Sequence, residues 1–201
     1  MKFQNTYKEL IKNNYPIFSF EDFCTLYPQE KRQYLRQYLS RWKKQGWIDS
    51  LKRGLYELTY PDAGHIPDVF IANKMYAPSY VSLETALSYY SIIPEVSMSV
   101  TSITAKATRQ FKNRHGLFMY RSIHPENFRG YIIEKHQGFD VFIAEPEKAL
   151  ADYLHFKSLS GQVFDKHAER IDMKQVKRMS ATKLKNFAEL YSLDLKEMLY
   201  A

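Results

Sequence analysis

Nine polar and basic side chains between residues 32 and 53 have the types and spacing needed to hold DNA. Guanidinium and ammonium groups neutralise phosphates, while amides and hydroxyls hydrogen-bond to base edges in the grooves. Residues 28–45 contain six Lys or Arg and one acid, Glu30, so this segment favours a polyanionic partner. The nine candidate DNA-binding residues are Arg32, Gln33, Arg36, Gln37, Ser40, Arg41, Lys44, Lys52 and Arg53.

The first seven candidates must be positioned by a helix. Leu35, Leu39 and Trp42 recur at i, i+4 and i+7, which predicts one apolar stripe along a helix over residues 28–45. Pro28 suits the first helical position, because its missing N–H is not needed there. Gly46 suits the C-terminal stop.

The opposite face of this helix is predicted to be polar. Its flanks carry Arg36 and Arg41, and its centre carries Gln33, Gln37, Ser40 and Lys44. Such a face can combine reading of base edges with phosphate contacts. The alternative is the solvated face of an ordinary helix, where Lys, Arg and Gln are common, and this segment alone does not separate the two interpretations.

A short basic hairpin is predicted directly after the helix. Apolar residues between 47 and 51 and between 55 and 58 form its strands, and Lys52-Arg53-Gly54 is the turn. Two further short helices are predicted upstream, at 6–13 and 20–27. Three helices followed by a hairpin within about sixty residues is the outline of a winged helix-turn-helix, which we assign to residues 1–60.

Charge is concentrated in this N-terminal part. Residues 1–58 hold 11 Lys or Arg and 6 Asp or Glu, whereas the other 143 residues hold 18 and 16, so most of the net charge of +7 belongs to the candidate DNA-binding part. Cys24 is the only cysteine, and the six histidines lack the spacing of a metal motif. We therefore expect no catalytic residue, metal or cofactor. No apolar stretch predicts a signal peptide or membrane span, and we expect a cytoplasmic, prokaryotic protein.

The rest of the chain is predicted to be a second, α+β domain over residues 61–201, with the boundary in the turn-rich stretch 60–67. We expect a small, largely antiparallel sheet with helices before it and a helical C-terminal tail. The expected helices are 68–76, 82–91, 146–157, 166–178, 181–191 and 194–200. The expected strands are 96–105, 117–123, 129–136 and 139–144.

Two other segments of the second domain carry charged residues that could have a function. Asp140, followed by Glu145, Glu147 and Lys148, resembles a metal-dependent nuclease pattern, but the acid needed at position 146 is a proline. A helix N-terminus carrying the two glutamates, with Lys148 and Asp152 paired on its surface, explains these residues better. The basic run 166–185 suits either an accessory phosphate or partner surface, or a solvated helix pair.

Over almost its whole length the chain resembles AbiEi-type antitoxins, which are transcriptional regulators of abortive-infection toxin–antitoxin systems. The resemblance lies in the order of four segments behind the predicted winged helix. These are the segment APSYVSLETALSYYSIIPE from Ala77, the threonine-rich strand Val100–Thr108, the strand GLFMYRSI, and FIAEPEKALADYL at 142–154.

The resemblance implies a DNA-binding repressor of its own operon. It also implies that the second domain counters a nucleotidyltransferase toxin encoded next to it, by direct or indirect action. We expect the DNA partner to be a double-stranded operator with an inverted repeat. The alternative is a non-catalytic interaction protein whose winged helix binds protein.

Overall fold

The computed structural model of the chain describes residues 2–60, 65–95, 97–159 and 164–200. The protein is a mixed α+β structure, as predicted. It divides into two compact units: Met1–Pro67 with Asn113–His115, and Asp68–Lys112 with Gly116–Ala201. Residues 61–64, half of the turn-rich boundary stretch 60–67, lie outside the described residues. No helix in the described ranges is both long and apolar enough to cross a membrane.

The first unit contains three helices and a three-stranded antiparallel sheet. In chain order the elements are α1 (Phe3–Lys12), β1 (Ile17–Ser19), α2 (Phe20–Leu26), α3 (Arg32–Lys44), β2 (Ile48–Lys52) and β3 (Leu55–Leu58). The strand order is β1-β3-β2. Strand β1 was not predicted, because three residues are too few to show an alternating pattern.

The predicted apolar stripe of α3 forms the centre of this unit's core. Leu35, Leu39 and Trp42 are at most 2% exposed. Aromatic and aliphatic side chains from the other elements cover them, namely Phe3, Leu10, Phe18, Phe23, Ile48 and Leu58. Each buried Leu or Phe stabilises the unit by about 1.5–3 kcal/mol relative to exposure, so this core fixes which face of α3 meets solvent.

The ends of α3 differ in how well the sequence predicted them. The helix begins at Arg32, with Lys31 as its N-cap, and the prediction that Pro28 opens it was wrong. Pro28 instead lies in a turn in which the Glu30 amide donates to the Tyr27 carbonyl at 3.1 Å, a position that its fixed φ also suits. The predicted stop is confirmed, since Gly46 has a φ of +70°, which a residue without a Cβ adopts easily.

The second unit is built on a six-stranded sheet with the order β6-β7-β5-β4-β9-β8. Its strands are β4 (Ser79–Val81), β5 (Ser99–Thr104), β6 (Arg109–Asn113), β7 (Gly116–Ser122), β8 (Tyr131–His136) and β9 (Phe139–Ala144). Its helices are α4 (Asp68–Met75), α5 (Leu83–Tyr89), α6 (Pro146–Leu159), α7 (Met173–Val176) and α8 (Ala181–Glu189), with a 3₁₀ turn at Pro125–Asn127 and a π-helical turn at Lys196–Tyr200.

The sheet is mixed, and the prediction of a largely antiparallel sheet was wrong in this respect. β4 pairs parallel with β9, and β5 pairs parallel with β7, whereas β4–β5 and β8–β9 are antiparallel. The unpredicted strand β4 lies between β5 and β9 and joins the two sides of the sheet. All three of its residues are buried, so its sequence carries no alternation of polar and apolar residues.

The C-terminal tail is less helical than predicted. Over the predicted helix 166–178, only Met173–Val176 is helical. Arg170 has a φ of +51°, which ends any regular helix there. The side chain of Asp172 then caps α7 by accepting from the Lys174 amide at 2.8 Å. The next helix, α8, begins after Ser180 as predicted, with the Ser180 hydroxyl accepting from the Lys183 amide.

Lys148 and Asp152 form an ion pair as predicted, but the pair lies in the core rather than on the surface. Both side chains are 0% exposed. Asp152 Oδ2 accepts from Tyr80 Oη at 3.1 Å and from Ser82 Oγ at 2.8 Å, while Oδ1 accepts from Tyr191 Oη at 2.5 Å and from Lys148 Nζ. Burial lowers the pKa of Lys148 and raises the pKa of Tyr80 and of Tyr191. This polar cluster connects β4, α6 and the residues after α8.

Candidate nucleic-acid interface

The face of α3 opposite the core is exposed along its whole length. All seven predicted site residues on this helix are exposed, namely Arg32, Gln33, Arg36, Gln37, Ser40, Arg41 and Lys44. The amides and the hydroxyl follow one line, and cations flank them, because residues 33, 37, 40 and 44 lie on adjacent turns. The buried stripe on the other side fixes this orientation.

Two arginines at the start of α3 stack on the ring of Phe20. The guanidinium carbons of Arg32 and Arg36 each lie 4.9 Å from the ring centroid. Arg32 also makes a bidentate pair with Glu21, with Nη1 donating to Oε2 at 2.9 Å and Nη2 to Oε1. The hydrogen bonds from Arg32 lower the pKa of the Glu21 carboxyl, and Glu21 raises the pKa of Arg32. Arg32 is therefore already paired with a carboxylate, whereas Arg36 stacks on the ring and forms no ion pair among the described residues.

The position of Phe20 and Glu21 is set by a capping box at the start of α2. Ser19 Oγ accepts from the Asp22 amide at 3.0 Å, and Asp22 Oδ2 accepts from the Ser19 amide at 2.7 Å. The Phe20 amide in turn donates to the Gly54 carbonyl at 2.9 Å. The tip of the β2–β3 hairpin therefore lies beside the start of α2, near the two stacked arginines.

The hairpin tip presents one exposed cation. Gly54 has a φ of +78°, which the tight connection between β2 and β3 requires. Arg53 is exposed, while Lys52, at the end of β2, is half-buried. The pairing of β2 with β3 is irregular between Ser50 and Lys52, and Ser50 Oγ donates to the Lys52 carbonyl at 3.0 Å. Of the two predicted tip residues, Arg53 is therefore the more accessible.

Five exposed cations of this region form no ion pair among the described residues. Across the described ranges, no carboxylate oxygen lies within 4 Å of the side-chain nitrogens of Arg36, Arg41, Lys43, Lys44 or Arg53. One acid of the first unit, Glu57, is 1% exposed and is held by Arg114 Nε at 2.6 Å and His115 Nε2 at 2.8 Å. A row of uncompensated positive charge therefore borders the exposed amides of α3, which is the pattern that phosphate binding requires.

Sequence reasoning missed several residues of this surface. Tyr34 is 47% exposed and lies at i, i+3 and i+7 with Gln37 and Arg41, a spacing that was available in the sequence. Lys43 is exposed as well. The stacking role of Phe20 depends on how α2 packs against α3, which no local sequence pattern shows.

Comparison with protein-family models gives no match for this chain, and comparison with curated proteins gives no significant one. The nine predicted DNA-binding residues stay a prediction, with seven on the exposed face of α3 and two at the hairpin tip.

The residues of the nuclease-like pattern each bind a different partner. Asp140 pairs with Lys135 at 2.8 Å, and Glu145 pairs with Lys183. Glu147 Oε1 accepts from the Ser180 amide at 2.8 Å. Among the described residues, no group of three or more His, Cys, Asp or Glu side chains is placed to hold a metal ion. These acids are thus explained by structural contacts.

Among the described residues, three of the seven cations in the basic run 166–185 pair with an acid. Arg170 pairs with Glu95 at 2.6 Å, and Lys185 lies 3.9 Å from Glu189. Lys183 pairs with an acid too, and Lys166 Nζ donates to the Leu199 carbonyl at 3.1 Å. These three pairs are of the kind found on the solvated surface of ordinary helices.

Proposed function

We propose that the first unit is a winged helix-turn-helix that binds double-stranded DNA. The observation that carries the proposal is the row of exposed amides and a hydroxyl on α3, bordered by cations that have no carboxylate within 4 Å. The element order of helix, strand, two helices and hairpin supports it as well.

In this proposal α3 is the recognition helix. Its 13 residues give a length of about 20 Å, and an α-helix fits the major groove, which is about 12 Å wide. Gln33, Gln37 and Ser40 contact base edges, while Arg36, Arg41 and Lys44 contact phosphates on either side. The hairpin is the wing, and Arg53 at its tip contacts the backbone or the minor groove.

We further propose that the protein is a cytoplasmic repressor of its own operon and an antitoxin against a nucleotidyltransferase-type toxin. The resemblance of residues 77–154 to AbiEi-type antitoxins supports this part. The operator is expected to contain an inverted repeat. The second unit is the part expected to counter the toxin, by direct or indirect action.

Sequence-specific binding is tested by Gln37→Ala. The substitution is expected to reduce discrimination between operator and scrambled DNA by about 1–3 kcal/mol if Gln37 reads an adenine. Gln29→Ala is the matched control, because Gln29 is an exposed amide in the turn before α3. Equal affinity of the unaltered protein for the two DNA sequences would overturn the proposal.

Repression and toxin protection are separable with the full-length protein. Replacement of Arg36, Arg41 and Lys44 by Ala removes three exposed charges and no buried contact. We expect this variant to lose repression of a promoter reporter and to keep protecting cells from the product of the adjacent toxin gene. Death of cells that contain the soluble, folded variant would show that protection needs DNA binding.

The second candidate function is a protein-binding winged helix. The exposed aromatic ring of Tyr34 on the same face favours it, because tyrosine is enriched in protein interfaces. Salt dependence separates the two candidates, since phosphate contacts make affinity fall steeply with salt.

A further inference from the structure

A concave pocket of about 220 Å³ lies within the second unit, on the α4–α5 side of β9 and β5. Its inner wall is apolar and includes Val100, Val141 and Ile143. Val141 and Ile143 are almost fully buried, at 2% and 3% exposure. An apolar cavity of about 150 Å³ can accept a benzene ring, so this pocket is large enough for one ring with a short chain.

The mouth of the pocket is polar and carries one carboxylate. Glu134, on β8, and Tyr89, at the end of α5, both line it, and Tyr89 Oη donates to Glu134 Oε2 at 2.7 Å. The ring of His136 lies edge-on to the Tyr89 ring, with 6.0 Å between their centroids. Throughout the described ranges, no Lys, Arg or His nitrogen lies within 4 Å of the Glu134 carboxylate. The carboxylate is therefore oriented by a hydroxyl but is not compensated by a cation.

We propose that this pocket binds a small organic cation, an amine with an apolar body of about one ring. The apolar wall would receive the body, and the amine would donate to Glu134 at the mouth. A charge-assisted hydrogen bond to a partly buried carboxylate is stronger than a neutral one. The Glu134 carboxylate would repel an anionic ligand of the same shape. Binding should therefore depend on the charge of the ligand.

The test uses three probes with the same ring and nearly the same chain: 2-phenylethylamine, 2-phenylethanol and 3-phenylpropionate. Each is titrated into the full-length protein, and binding is followed by amide chemical shifts and calorimetry. We expect saturable binding of the amine with a Kd of about 1 mM or tighter, weaker binding of the alcohol, and no saturation by the carboxylate.

Two variants assign the binding to this site. Glu134→Gln is expected to weaken the amine about tenfold, whereas Glu126→Gln, an acid with 86% side-chain exposure elsewhere in the second unit, should have no effect. Ser88→Phe, at a half-buried lining position on α5, is expected to fill the pocket and abolish binding of both the amine and the alcohol.

Three results would overturn the proposal. These are no saturation by the amine at roughly 10 mM, equal affinity for amine and carboxylate, and unchanged amine binding in folded Glu134→Gln protein. Retention of chemical-shift dispersion in each variant establishes that it is folded.

Discussion

Removal of the buried carboxylate of Asp152 should unfold the second unit or bring it close to unfolding. Asp152→Ala leaves the Lys148 ammonium at 0% exposure without its counter-charge, and it removes the acceptor of Tyr80 and Ser82. Breaking a buried ion pair from one side costs about 3–5 kcal/mol. Orphaned hydroxyls cost about 1–3 kcal/mol each, although these costs do not add fully within one network.

Substitution of Lys148 should destabilise the second unit less than substitution of Asp152, and the effects of substituting both residues should not add. Lys148→Met removes the ammonium but leaves Asp152 with three hydroxyl donors, from Tyr80, Ser82 and Tyr191. We expect it to cost less than Asp152→Ala. The double variant Lys148→Met with Asp152→Asn should be less destabilised than the sum of its single variants by about 2 kcal/mol, because no buried charge is left unpaired.

The assay must report on the second unit. Both tryptophans, Trp42 and Trp47, belong to the first unit, so their fluorescence is unsuitable. Urea unfolding is therefore followed by the amide chemical shifts of residues in the second unit. Lys183→Met is the control, since the Lys183 side chain is 55% exposed and loss of its pair with Glu145 should change the free energy of unfolding far less than Asp152→Ala does. A cost below about 1 kcal/mol for Asp152→Ala would refute the reasoning.

Two further predictions concern the first unit. Leu39→Ala should lower the free energy of unfolding of the first unit by about 2–5 kcal/mol, because Leu39 is 2% exposed and packs in the aromatic core. Tyr34→Ala, at an exposed position, should cost about 0.5 kcal/mol or less. Tryptophan fluorescence in urea measures both variants, and similar costs for the two would contradict the burial of Leu39. Glu21→Gln should leave the stability of the unit essentially unchanged but release Arg32 to bind phosphate, which steepens the salt dependence of DNA binding by about one unit. Glu9→Gln, an exposed acid on α1, is the control, and an equal change in both variants would mean that only net charge matters.

The sequence predicted the exposed face of α3 better than it predicted where that helix begins. The spacing of Leu35, Leu39 and Trp42 was sufficient to separate the buried from the exposed face of α3, because burial and helical periodicity are directly linked. Pro28 was misplaced because proline is equally suited to a turn and to the first position of a helix. Only the packing around Pro28 decides between these two positions, and local sequence does not show that packing.

Other features could not be obtained from local patterns. The strand β4 is three residues long and buried on both faces, so it shows neither alternation nor helical periodicity. The i, i+4 spacing of Lys148 and Asp152 predicted their pairing, but their burial depends on Tyr80 and Tyr191, which are distant in sequence. The pocket near Glu134 likewise combines α5, β5, β8 and β9, and no single segment predicts it.

The most direct test of the DNA-binding proposal is a salt titration of operator binding. Five exposed cations without a nearby acid predict that log K falls with log salt concentration with a slope of about −4 to −5. Replacement of Arg36, Arg41 and Lys44 by Ala should reduce the magnitude of that slope by about 2.7, at about 0.9 per phosphate contact. A flat dependence in the unaltered protein, or an unchanged slope in the folded triple variant, would contradict the assignment of α3 as a DNA-binding helix.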